Sequence, residues 1–248
     1  MSVFDMFKKK SETTGPRKKS ERELSRLARL VGDKMSQNYD RQQALEELGR
    51  MENAEGAAAL LRRFDWSFDP SITDQEEKET AARGVAAAGE AALEPIRSYC
   101  AKAASLTWPL KILRQIIESE DALVGELLDI LEQFDTEYVR NPEPKVQLIA
   151  TLEEYPRDDV REAVEPFLQD ASEPVRFHAA ITTFSMNSDE SIVPLVEALT
   201  QEESLRVRNR IAQGLAERKY AVPSELSDAC AEALPDDYRL DRGVVVRQ

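Results

Sequence analysis

His178 is the only histidine in the 248 residues, so any Ser–His–acid or Cys–His device would have to be built on that one imidazole. It lies in "EPVRFHAAITTF", which begins at Glu173, with no cysteine or acid at ligand spacing beside it. Metal sites need three or four ligands, so a structural or surface role is expected for it. The acids of "DQEEKE" (from Asp74) and "FDTEYVRNPE" (from Phe134) put carboxylates near one another. Acids at such density form solvated faces and helix N-caps, and no EF-hand spacing is present. With nine glycines, no GxGxxG and no phosphate-cradling P-loop, the chain is expected to be no enzyme and to hold no cofactor and no metal.

Three groups of residues are better suited to binding than to catalysis. The stretch "RRFDWSFDPSIT" sets Asp65, Trp66 and Phe68 in a loop, where large aromatics either tuck under an edge or stand out as anchors. Arg206 and Arg210, four apart, share one helix face, while Arg208 points elsewhere. With Glu202 and Glu203 nearby, these arginines make either a salt-bridged surface or a patch for an acidic peptide or a phosphate. The third group is the N-terminal arm, where Val3, Phe4, Met6 and Phe7 precede Lys8, Lys9 and Lys10. A short apolar plug with a basic cluster suits weak contact with an anionic membrane or a partner's groove, and equally a loose start. Trp108, before Pro109 at a helix start, is expected to pack.

Charge narrows the partners. Residues 1–30 hold nine Lys or Arg against four acids, a net of +5, which leaves −19 on the rest of a chain whose total is −14. An acidic body repels phosphate backbones, so nucleic acid is disfavoured and a basic protein segment is favoured. Cys100 and Cys230 are far apart and form no disulfide framework. No secretory signal and no run of about 18 apolar residues is visible, so a cytoplasmic protein is expected.

The elements that must position these residues read as helices. Residues 1–19 form a flexible basic arm. Ser20 and Glu23 have capping-box spacing ahead of Leu24, Leu27, Val31 and Met35. First helices then start near residues 40, 74, 107, 143, 173 and 204, and a second helix follows each. Asp40, and Thr73 with Glu76, are expected caps. Steps of a little over thirty residues are the mark of stacked repeats. The expected fold is all-α, an α-solenoid or superhelix of about six antiparallel helix pairs over residues 20–235, each burying its apolar face against the next. Pro166, inside "DDVREAVEPFLQ", should kink or restart its helix. Residues 236–248 form a C-terminal tail, either a short strand or loose. A longer echo sets Phe64-Asp65 against Phe134-Asp135, 70 residues later.

One phrase is nearly repeated. In "EPVRFHAA" and "SLRVRNRIA", Val175-Arg176 and Val207-Arg208 each precede a small or aliphatic pair, Ala179-Ala180 and Ile211-Ala212. Each Arg, at the edge of its apolar face, can reach acids and carbonyls of the preceding turn. With Pro194 in the first turn of a second helix, these features resemble HEAT repeats, the bacterial kind also found in phycobilin-lyase-like proteins, most clearly over residues 142–220. The resemblance implies an armadillo-like helical scaffold that binds a partner protein on a face or through edge loops. Two alternatives accompany it: a lyase-like enzyme or enzyme accessory factor, and a peripheral membrane adaptor using residues 3–10.

Overall fold

A computed structural model describes residues 16–248, so Phe4, Phe7 and Lys8–Lys10 of the arm lie outside the described residues. Thirteen α-helices and one β-hairpin follow one another along the described chain. The chain divides into two compact units, one up to Pro95 and one from Ile96 onward.

The first unit is built from α1 (Pro16–Gly32), α2 (Asn38–Gly49), α3 (Ala54–Leu61) and α4 (Ser71–Ala87). Val31, Leu45, Leu48, Leu60, Leu61, Ala81 and Val85 form its apolar core. Helix α2 crosses α4 where Gly49 meets Gly84. A Cβ on Gly84 would stand 3.0 Å from the Gly49 Cα and 2.7 Å from Leu60 Cδ1, so only glycine permits that approach.

The helix starts differ from the sequence expectation. Helix α1 begins at Pro16 rather than at Ser20, because proline's preset φ suits a first turn and its missing N–H is not needed there. Ser20 therefore lies inside the helix. Helix α2 begins at Asn38 after Gln37, which leaves Asp40 in the first turn instead of at the cap. Helix α4 begins at Ser71 after Pro70, so Thr73 is likewise interior.

Helix α5 (Leu93–Cys100) spans the division, and the second unit continues with α6 (Thr107–Ile116), α7 (Glu120–Leu131), α8 (Glu143–Leu152) and α9 (Asp158–Val164). After α9 the chain tightens into a 3-10 turn over Glu165–Gln169, because Pro166 cannot donate to the ladder. Helices α10 (Glu173–Ser185), α11 (Ile192–Gln201), α12 (Leu205–Arg218) and α13 (Ser227–Ala233) complete the helical part. Helices α8, α10 and α12 pack in succession as one row. The 3-10 turn, α11 and α13 pack in succession as a second.

Val175, Ala179 and Ala180 on α10, and Val207, Ile211 and Ala212 on α12, are buried between the rows, as the repeated phrase implies. Buried Thr182 of α10 donates to the Ile149 carbonyl of α8 at 2.9 Å, satisfying its hydroxyl inside the stack.

The C-terminal stretch is a strand pair. Strands β1 (Tyr238–Asp241) and β2 (Val244–Arg247) run antiparallel, with Asp241 opposite Val244 and Tyr238 opposite Arg247. Arg242 (φ 51°) and Gly243 (φ 78°) supply the two left-handed residues of a tight hairpin turn. An Ala221–Val244 bridge and the Val222 N–H bond to the Gly243 carbonyl (2.7 Å) fasten the hairpin beside the end of α12.

Candidate functional site

The charged residues of the second unit do two kinds of work. Many close the helix pairs. Near the start of each row-one helix, a cation reaches forward to the end of the following row-two element. Lys145 Nζ donates to Asp170 Oδ2 at 2.7 Å, with both side chains buried. Arg176 holds both carboxylate oxygens of Glu202 at 2.7 and 2.8 Å. Arg208 Nε donates to the Ala233 carbonyl at the end of α13, at 2.9 Å.

Each acid also accepts from the backbone two residues on: Asp170 from the Ser172 N–H and Glu202 from the Ser204 N–H, both at 2.7 Å. One carboxylate thus closes its own pair and sets the first turn of the next helix. Burial works to raise the Glu202 carboxyl, but the Arg176 hydrogen bonds and charge and the Ser204 N–H outweigh it and hold it below its ordinary value.

The sequence reading placed the repeated arginines against the preceding turn. Arg176 does reach the Asp170 carbonyl there, at 2.8 Å, but its carboxylate partner lies ahead of it in the chain, as does the carbonyl that Arg208 meets. Reading also missed that Asp170-Ala171-Ser172 and Glu202-Glu203-Ser204 share an acid-x-Ser spacing directly before each "VR" helix, a visible signal of the junction.

The second kind of work is left to Arg206 and Arg210, which line a groove of about 750 Å³ between α12 and the hairpin. Arg206, Arg210, Gln213 and Glu217 form one stripe of α12 at helical spacing, opposite the face that buries Val207, Ile211 and Leu215. Phe177 of α10 and the four residues of β2 complete most of the wall.

Arg206 is half exposed. It lies over the Phe177 ring at 3.7 Å and pairs with Glu173 at 3.2 Å, not with Glu202 or Glu203. Arg210 stands 5.6 Å from the Phe184 ring, and its Nε is buried without a hydrogen-bond partner. Phe184 can lie there because residue 214 is glycine; a Cβ at that position would collide with the ring. Among the described residues no carboxylate pairs with Arg210, Lys219 or Arg247. His178 packs edge-on to Phe177 at 5.6 Å, and burial together with the Arg206 charge lowers its pKa, favouring the neutral ring.

The first unit sets its charges differently. Glu77, on α4, accepts from Arg41 and from Arg63, each at 2.8 Å through Oε2, with all three side chains almost fully buried. Arg63 also binds Asp74 at 2.6 Å, and Lys78 binds Asp74 at 2.8 Å. Burial raises the Asp74 carboxyl, but bonds from Arg63 and Lys78 more than offset this and leave it below its ordinary value.

Trp66 and Phe68 lie half-buried over this cluster. The Arg63 guanidinium is 3.8 Å from the Trp66 ring, and Arg41 is 5.0 Å from each ring. The aromatics of this loop are therefore tucked, while Asp65 between them and Arg63 is exposed. The structure brings Asp65, Trp66 and Phe68 together in the first unit, and Arg206 and Arg210 in the second.

Residues 124–216, less than half of the chain, match the family described as HEAT repeats. No curated protein and no solved structure matches the chain. Among the described residues no helix is long and apolar enough to cross a membrane, and no group of three or more His, Cys, Asp or Glu is placed to hold a metal ion.

Proposed function

We propose that this chain is a non-catalytic scaffold that docks a partner protein on its second unit, in the cytoplasm. The observation that carries the reading is the coincidence of the HEAT-repeat match over residues 124–216 with an open groove at the end of the same stack, whose cations Arg210, Lys219 and Arg247 pair with no carboxylate among the described residues. Repeats of this kind bury a core only by stacking and leave long faces for partners. The buried ionisable groups support the same reading, since Lys145, Asp170, Arg176 and Glu202 are engaged in holding helices together. Cys100 and Cys230 are both buried and unbridged, which suits a reducing compartment, and burial pushes their thiols up to about 12 and about 11.

The reading places docking on the second unit rather than on Trp66 and Phe68, whose rings are occupied by Arg41 and Arg63. The test is capture of the full chain from its native cells, with a photo-crosslinking residue at Gln213 or at Tyr138. A partner crosslinked in the second unit, and retained by W66A/F68A, is the expected result. A partner lost in W66A/F68A while the second unit stays uncrosslinked would move the site to the loop. A small molecule chemically altered by the chain would replace the scaffold reading with the enzyme one.

A further inference from the structure

The groove beside α12 differs in sign from the molecule that carries it. The chain has a net charge of −14, yet the groove lining holds Arg206, Arg210, Lys219 and Arg247 against Glu217 and Asp237. Arg206 already pairs with Glu173, and Glu217 already accepts from Gln213 at 2.7 Å. Arg210 is the cation most in need of an anion. Its Nε is buried and unbonded, and it shares the Phe184 ring with Arg218, whose Nε is likewise buried and unbonded. Both guanidinium groups lie near the Phe184 ring and carry like charge, and a carboxylate arriving in the groove offsets that charge at Arg210.

Apolar wall is provided by Phe177 on one side and by Val244 and Val246 on the other, beside the polar Asn209 and Gln213. Strand β2 forms that second side. It pairs with β1 along one edge, and on the other edge only Val244 is bridged, to Ala221. Its last residues therefore border the groove as an unpaired strand edge, a template for extended chain.

We infer that this groove binds an extended, acidic protein segment, whose carboxylates meet Arg210 and Arg247 while its aliphatic or aromatic residues pack on Phe177, Val244 and Val246. The inference rests on the docking reading and gives its partner a charge. It also inverts the partner expected from composition, because the local field of the groove, rather than the total charge, is what an incoming segment meets at contact.

The probes are three pools of synthetic ten-residue peptides that alternate Leu, Val or Phe with Asp/Glu, with Asn/Gln, or with Lys/Arg, together with a ten-nucleotide thymidine oligomer. Binding to the full chain is followed by fluorescence anisotropy at low and moderate salt. The acidic pool should bind about ten-fold more tightly than the neutral one and weaken with salt. R210Q and R247Q should each weaken it about five- to ten-fold.

Arg247 is exposed, so R247Q leaves the fold intact and stands as the control if R210Q disturbs packing around Phe184. Tighter binding by the basic pool, tighter binding by the oligomer, or acidic binding unchanged in R247Q would each overturn the inference. If the acidic pool fails while a cell-derived partner still crosslinks elsewhere in the second unit, the groove assignment falls and the docking reading stands. If neither binds, both fall.

Discussion

Two loops that begin with Phe-Asp, one in each unit, are pinned in the same manner but on different foundations. Arg63 donates to the Trp66 carbonyl, and Lys145 donates to the Glu137 carbonyl, each at 3.0 Å from a buried cation. Beneath the first loop, Arg41, Arg63 and Lys78 converge on Glu77 and Asp74 and are roofed by two aromatic rings. Beneath the second, Lys145 meets Asp170 alone, and the arginines that follow it along the stack have partners of their own. The first unit concentrates its buried charge, whereas the junctions along the second unit's stack distribute theirs, one cation to each, apart from Arg161, which gathers Asp158, Glu162, Glu165 and Glu190. A concentrated cluster fails as a whole when its shared member is lost. A distributed series fails one junction at a time.

That contrast orders the expected effects. Glu77→Ala leaves the buried Arg41 without a carboxylate and Arg63 with Asp74 alone, and should destabilise the chain by about 3–5 kcal/mol, read from the urea midpoint. A cost no greater than that of a single-junction variant would break the comparison.

Glu202→Gln leaves Arg176 with the Asp170 carbonyl and should cost less, about 2 kcal/mol. It should also change the acid limb of the stability profile. Because the folded Glu202 carboxyl is depressed, its contribution is present above the ordinary carboxylate range and is lost as pH falls through the depressed value. E202Q removes that component, while Asp74, also depressed, keeps its own. Thermal melts from pH 6 to pH 3 should therefore converge between the variant and the parent toward the acid end.

Trp66→Ala opens the roof of the first cluster and should cost about 1–2 kcal/mol, with more of the loss recovered at high salt than in parallel melts of a core variant. Arg208→Met frees only the Ala233 carbonyl and should cost about 1 kcal/mol, measured by hydrogen exchange of the α13 amides.

The sequence showed the stacked arrangement of the second unit well, because small residues at Ala179, Ala180 and Ala212 and the repeated Val-Arg pair are local patterns with one geometric reading. Pro166 marked its break for the same reason: the missing N–H acts at the residue itself. Helix starts were less legible. Ser20, Asp40 and Thr73 are all sound caps in isolation, yet in each case the helix begins two to four residues earlier, and neither Gln37 nor Pro70 supplies a side-chain cap.

The site was half visible. Arg206 and Arg210 could be seen to share a face, but the groove they line needs β2, some forty residues later, and no local pattern announces that contact. Glu77, which binds Arg41 from 36 positions away, was hidden in an acid-rich stretch that reads as solvated surface. Whether an acid is buried depends on which cations the fold brings to it, and spacing along the chain does not carry that information.

From Asp170 to Glu202, from Ser172 to Ser204 and from Arg176 to Arg208 the step is the same 32 residues. A carboxylate that serves the helix pair behind it and the amide ahead of it makes the seams at Asp170 and Glu202 interchangeable. Excising one full period would set Asp170 two places before Ser204, with the hydrogen-bonding grammar of the join preserved; excising a residue more or fewer would not. Lengthening or shortening the array at these two seams is thus quantised by its side chains, and the surface it presents can change while both joints keep their bonds.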